Sequence, residues 1–123
     1  MSKIILITHQ KGGVGKSTIT YNLAVNLKDN AKVCILDMDT QGSLMNINQL
    51  SEVPIFPAEK LNDLKNSDYD FIFIDTPPYL NSRIEELCII ANVIIIPTKA
   101  GVLDLLAIKS TIDIVVKAKA EKI

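Results

Sequence analysis

Residues 10 to 18 read Gln10-Lys11-Gly12-Gly13-Val14-Gly15-Lys16-Ser17-Thr18, and the two stretches that flank them have contrasting patterns. Before the glycines, Lys3-Ile4-Ile5-Leu6-Ile7-Thr8 is a short apolar run rich in β-branched residues. After them, Ile19 to Leu27 repeats apolar residues at helical spacing. The order is strand, glycine loop, helix, which commits the chain to an α/β fold. Gly12, Gly13 and Gly15 let the backbone turn sharply and bring its amides close to phosphate oxygens. The positive end of the following helix adds its field at the same place. In this frame Lys16 spans the β- and γ-phosphates, Ser17 ligates magnesium and Thr18 caps the phosphate nearest the sugar, so ATP and Mg2+ are the expected ligands. Gln10 stands where the common phosphate-loop pattern has glycine, which makes the match a variant.

A dinucleotide site is the competing reading. Gly13-Val14-Gly15 supplies the first two glycines of G-x-G-x-x-G, and Asp37 lies at a suitable distance to hold a ribose. Against it, Thr18 replaces the third glycine, and Lys16-Ser17 is the pair that a triphosphate with a metal requires.

Phosphoryl transfer needs cations, a metal anchor and a carboxylate to hold water. Asp75 ends the apolar run Phe71-Ile72-Phe73-Ile74, which places it at the carboxyl edge of a parallel sheet, suited to holding a water of the magnesium shell. Asp39 follows the run Lys32 to Asp37 at the same edge, where it can orient the attacking water and, like Asp75, hold the metal through water. Asp37 supports the loop or the outer shell of the metal. Aspartates also end strands simply because turns follow, and for Asp37 both readings stay open. Arg83 is the single arginine of the chain and lies at the start of a helical segment, remote from the glycine loop, so an arginine finger in cis is not expected. The remaining cation for the developing charge is Lys11.

At these residues the chain resembles the ParA/MinD family of deviant Walker ATPases, which position plasmids, chromosomes and division machinery. Lys11 to Ser17 fits K-G-G-x-G-K-[ST] without a gap. Asp37-Met38-Asp39-Thr40-Gln41-Gly42 fits D-x-D-x-Q-G, and Asp75-Thr76-Pro77-Pro78 closes a Walker B strand. With the Ile94-Ile95-Ile96-Pro97 strand, the resemblance runs from residue 3 to about 119. It implies a parallel-sheet P-loop NTPase of the deviant Walker A type, with the phosphate-loop strand between the Asp75 and Ile94 strands. It also implies slow ATP hydrolysis and an ATP-bound homodimer in which Lys11 reaches the partner's phosphates. A partition role would add DNA as the matrix, a plasmid or chromosome as cargo and a centromere-binding, ParB-like partner protein. Family members continue past the helix that follows the Ile94 strand, so the chain reads as short at its C-terminal side, lacking the part that contacts adenine and carries much of the basic surface. Ala100 and Val102 stand where a close branch of the family has prolines, although Asp104 matches. A nucleotide-binding regulatory module that no longer hydrolyses ATP is the alternative function. A cofactor-biosynthesis or electron-transfer relative would need a metal-cluster cysteine pair, which Cys34 and Cys88 do not resemble.

Composition fits one domain over residues 1–123, since 48% hydrophobic content supports a core. Thirteen basic and fourteen acidic residues give a net charge of −1. Lys109, Lys117, Lys119 and Lys122 alternate with Asp113 and Glu121, the pattern of a solvated helix face more than of a nucleic-acid footprint. There is no signal peptide or run of roughly 18 apolar residues, so a cytoplasmic protein off the membrane is expected, nucleoid-associated if it keeps DNA binding. Cys34 and Cys88 read as buried thiols, and His9 as structural. Strands are expected near 3–8, 32–37, 70–75 and 92–97, and helices near 17–29, 58–66, 81–90 and 102–119. Pro54-Ile55-Phe56-Pro57 suits an edge strand. Val93 to Ile96 reads as a strand covered on both faces that would nonetheless lie at a sheet edge if no further strand pairs with it. The stripe Val102, Leu105, Leu106, Ile108, Ile112, Val115 and Val116 reads as the core face of the last helix.

Overall fold

The computed structural model describes residues 2–8, 16–38, 44–76, 82–97, 112–113 and 116, with 16, 17, 45, 46, 48, 82 and 83 described by their backbone alone. Its centre is a five-stranded parallel sheet. The strands are β1 (Lys3–Ile7), β2 (Val33–Asp37), β3 (Ile55–Pro57), β4 (Phe71–Asp75) and β5 (Val93–Ile95), in the spatial order β3-β2-β4-β1-β5. β1 therefore lies between the Asp75 strand and the Ile94 strand, and the proline-flanked β3 forms one edge, as its composition requires.

The three central strands are apolar through their middles because both of their faces are covered there. Side chains alternate across the sheet with a period of two. Ile4, Leu6, Cys34, Leu36, Ile72 and Ile74 pack with Leu64 of α2 (Leu61–Lys65) and with Ile84, Leu87 and Cys88 of α3 (Ser82–Ile90). Ile5, Ile7, Val33, Ile35 and Phe73 instead pack with Ala24 of α1 (Lys16–Leu27) and with Leu44, Val53 and Ile55. Both cysteines are buried free thiols, and burial pushes the Cys34 thiol up to about 12.

The amino-terminal edge of the sheet is laced by side chains. The Asp70 carboxylate accepts the Lys32 N–H at 2.8 Å, while its backbone N–H donates to Lys32 O at 2.7 Å and its carbonyl accepts the Lys3 N–H at 2.9 Å. One residue thus gathers the entries to β2, β4 and β1. Asn92 does the same for β5: its Oδ1 accepts the Ile4 N–H and its backbone N–H donates to Ile4 O, both at 2.8 Å.

Four details differ from the sequence expectation. Met45–Leu50 forms a 3₁₀ helix that the sequence did not announce, and the segment expected as one helix near 58–66 is a 3₁₀ turn, Ala58–Lys60, running into α2. β5 is an edge strand among the described residues, and Val93 is 50% exposed, so it is not covered on both faces. Ile112 and Val116 are exposed where a core face was expected. The rest of the expected helix near 102–119 lies outside the described residues.

Candidate functional site at the carboxyl edge

The register of the sheet brings Ile7, Asp37 and Asp75 to one level, since Ile7 pairs with Asp75 and Asp75 with Asp37. In a parallel sheet that level is the carboxyl edge, where loops diverge and ligands bind. Both aspartates are buried, Asp37 at 5% and Asp75 at 1% exposure. A carboxylate is kept out of water only where other groups or a cation stabilise it.

Short polar contacts fix the strand exits around them. Thr76 donates its hydroxyl to Ile7 O at 2.8 Å, the Met38 N–H donates to Asp75 O at 2.9 Å, and the Thr8 N–H donates to Ile95 O at 3.0 Å. The exits of β1, β2, β4 and β5 are thus held together just where the loops leave the sheet. Thr8 and Thr76 are both fully buried. Neither was singled out from the sequence, although a hydroxyl residue closing an apolar strand is the signal that marks each of them.

The backbone of α1 begins at Lys16, so Lys16 and Ser17 open a helix that leaves this same edge, and Thr18 is exposed in its first turn. That turn holds no acidic residue, so no side chain of the helix's own first turn offsets its positive end. Lys11, Gly12, Gly13, Val14, Gly15 and Asp39 lie outside the described residues, as do the side chains of Lys16 and Ser17. Arg83 is the second residue of α3, the helix start expected for it.

The residues in place suit a magnesium nucleotide. The helix start favours an anion. Asp75 offers a buried carboxylate for a cation, and the Thr8 Oγ1 is a buried hydroxyl with no hydrogen-bond partner among the described residues, so the edge retains unspent polar capacity.

Residues 5–123 match the family model described as the CobQ/CobB/MinD/ParA nucleotide binding domain. The chain belongs to this family. Maintenance of carboxysome distribution protein A from Halothiobacillus neapolitanus is 29% identical over 127 residues, covering 94% of this chain and 59% of that protein. Sporulation initiation inhibitor protein Soj from Bacillus subtilis is 52% identical over 44 residues, or 35% of this chain and 17% of Soj. Among solved structures, a putative plasmid partition protein from Borrelia burgdorferi bound to AMPPNP superposes with a TM-score of 0.81 at 25% identity, covering 95% of this chain and 69% of that one. The chain therefore spans less than two thirds of the length of the curated relatives it matches over most of its residues. Its ParA/MinD fold is the α/β parallel sheet expected for a P-loop NTPase, and the domain it carries is the nucleotide-binding one. No helix among the described residues is long and apolar enough to cross a membrane.

Proposed function

We propose that this chain is the catalytic part of a ParA-like positioning ATPase, which binds and slowly hydrolyses Mg-ATP and dimerises when ATP is bound. The observation that carries the proposal is the carboxyl edge itself: β1 leads into the glycine loop and a helix whose first turn holds no acidic residue, and the buried Asp75 ends the neighbouring strand β4 in register with Ile7. In this reading Lys16 and the amides of Gly12, Gly13, Val14 and Gly15 bind phosphate oxygens, and Thr18 closes the inner end of the site. Ser17 and Asp75 hold the metal, Asp75 through water, and Asp39 orients the attacking water. Magnesium, when bound, neutralises phosphate charge. Lys11 supplies the cation that no arginine provides, from one protomer to the phosphates held by its two-fold partner. A finger in trans is worth about 10³–10⁵ in rate elsewhere, so an incomplete dimer accounts for slow turnover. Residues 1–123 act as one domain, and the role is cytoplasmic. The cargo is a plasmid, a chromosome or another large body carried on DNA, selected by a ParB-like partner.

Single-turnover ATP hydrolysis, with and without DNA, tests this. Wild type is expected to hydrolyse ATP faster with DNA, and Asp39→Ala to be slower by about 10²-fold or more. Sedimentation with AMPPNP should show a dimer that Lys11→Ala weakens while affinity for nucleotide is kept. If wild type and Asp39→Ala are equally silent yet bind ATP, the hydrolytic reading is lost, and the chain is a nucleotide-binding regulatory module.

A further inference from the structure

At the opposite end of β1 lies a cleft of about 400 Å³, lined by Ser2, Lys3, Ile4, Lys65, Ile89, Ile90 and Asn92. Its volume falls in the range of small-molecule sites, about 300–1,000 Å³. β1 runs from this cleft, at Lys3 and Ile4, to the carboxyl edge at Ile7.

The composition of the wall is one-sided. Two lysines line it and no acidic residue does, while Ile89 and Ile90 at the end of α3 give it a half-buried apolar floor. Two other described lysines are neutralised: Lys28 pairs with Asp29 at 3.2 Å, and Lys32 with Asp68 at 2.6 Å. Lys3 and Lys65 form no ion pair among the described residues. The frame of the cleft is also rigid. Ser2 is buried and donates its hydroxyl to Tyr69 O at 2.6 Å, and the Asn92 carboxamide oxygen is taken by the Ile4 N–H, which leaves Nδ2 as a donor.

We propose that this cleft binds a small organic anion, a carboxylate or sulfonate on an apolar body, with Lys3 and Lys65 taking the anionic head and Ile89 and Ile90 the body. The two ammonium groups select the sign of the charge, and the isoleucines favour an organic anion over an inorganic one, which has no apolar surface to bury. The site does not depend on nucleotide binding at the other edge.

An amide NMR titration of the full chain with naphthalene sulfonate, and in parallel with the naphthylmethylammonium cation, tests this. The sulfonate should shift the amides of Lys3, Ile4, Lys65, Ile90 and Asn92, and the cation should bind at least about fivefold more weakly. Lys3→Gln with Lys65→Gln should weaken the sulfonate by about three- to tenfold and remove the preference over the cation. Both lysines are exposed, so the variant keeps its fold, which unchanged shifts at Asp37 and Asp75 would report. Equal binding of the two probes, shifts confined to the carboxyl edge, or a double variant that binds the sulfonate as wild type does would each overturn the proposal.

Discussion

The two edges of one sheet are built on opposite rules. At the amino edge, polar side chains are spent on the backbone: Asp70 and Asn92 satisfy strand amides directly, at 2.8 Å each. At the carboxyl edge the central strands β2 and β4 end in Asp37 and Asp75, in register and buried, and α1 opens with no acidic residue in its own first turn. The first edge gives up reactivity to hold four strand entries in place. The second concentrates charge where a ligand can use it, and the same strands pass from one rule to the other within five residues. Stability and nucleotide binding should therefore separate along the strand direction, so that substitutions of the side chains that hold strand amides at one edge move folding and those at the other move nucleotide binding.

The largest effect belongs to the carboxyl edge. Lys16→Ala should lower ATP affinity by about 100-fold, the worth of a charge-assisted phosphate contact of about 3 kcal/mol, with the unfolding midpoint unchanged. Calorimetric titration with AMPPNP alongside a urea melt reads both. A matching loss of stability would show that the two edges are not separable.

Next is the amino edge, in the opposite sense. Asn92→Ala removes the acceptor for the N–H of Ile4, a core residue only 5% exposed, and should cost about 2 kcal/mol in urea unfolding while leaving ATP affinity within about twofold. A change in nucleotide affinity larger than the loss of stability would mean that β1 transmits strain from end to end.

Between the edges lies the core, which should be inert. The Cys34 thiol is held at about 12 against an ordinary 9.0 by burial, so the native state keeps a proton that the unfolded chain releases above 9.0. Stability should accordingly fall as pH rises through that window, and Cys34→Val should flatten the fall. Alkylation at mildly alkaline pH should label the thiol only after urea is added, and rapid labelling of the native protein would contradict its burial.

Much of this architecture is local and hence legible in sequence. β1, β2 and β4 are uninterrupted apolar runs because each strand is covered on both faces, and Pro54 and Pro57 mark β3 as an edge for want of backbone donors. The motifs that place Asp75 at a strand end are also contiguous. What escaped is mostly non-local. Asp70 finds Lys32 across 38 positions and Asn92 finds Ile4 across 88, and neither aspartate nor asparagine carries a local pattern that names its partner. Met45–Leu50 has no apolar period of 3.6 residues to betray a helix, being wound as 3₁₀. The stripe through Ile112 and Val116 has the right period for a core face, yet periodicity says which residues share a side and not whether anything packs there.

The smallest effect returns to the amino edge and asks whether its exposed charges matter at all. Lys32 hydrogen-bonds Asp68 and lies 4.9 Å from the centre of the Tyr69 ring, and that hydrogen bond holds the Asp68 carboxyl below its ordinary 3.8 while raising Lys32 above 10.5. Lys32 stays charged throughout the acid range, so the linkage there is that of Asp68. A depressed carboxyl stabilises the fold above its unfolded value and loses that contribution as pH falls through its lower folded value. Asp68→Asn should therefore lower the urea midpoint slightly near neutrality, and the gap to wild type should close well below pH 3.8. Both side chains are more than half exposed, so the gap should also shrink in high salt. A gap that persists in acid would assign the effect to packing of Lys32 on Tyr69, a contact of the amino edge that acts without its charge partner.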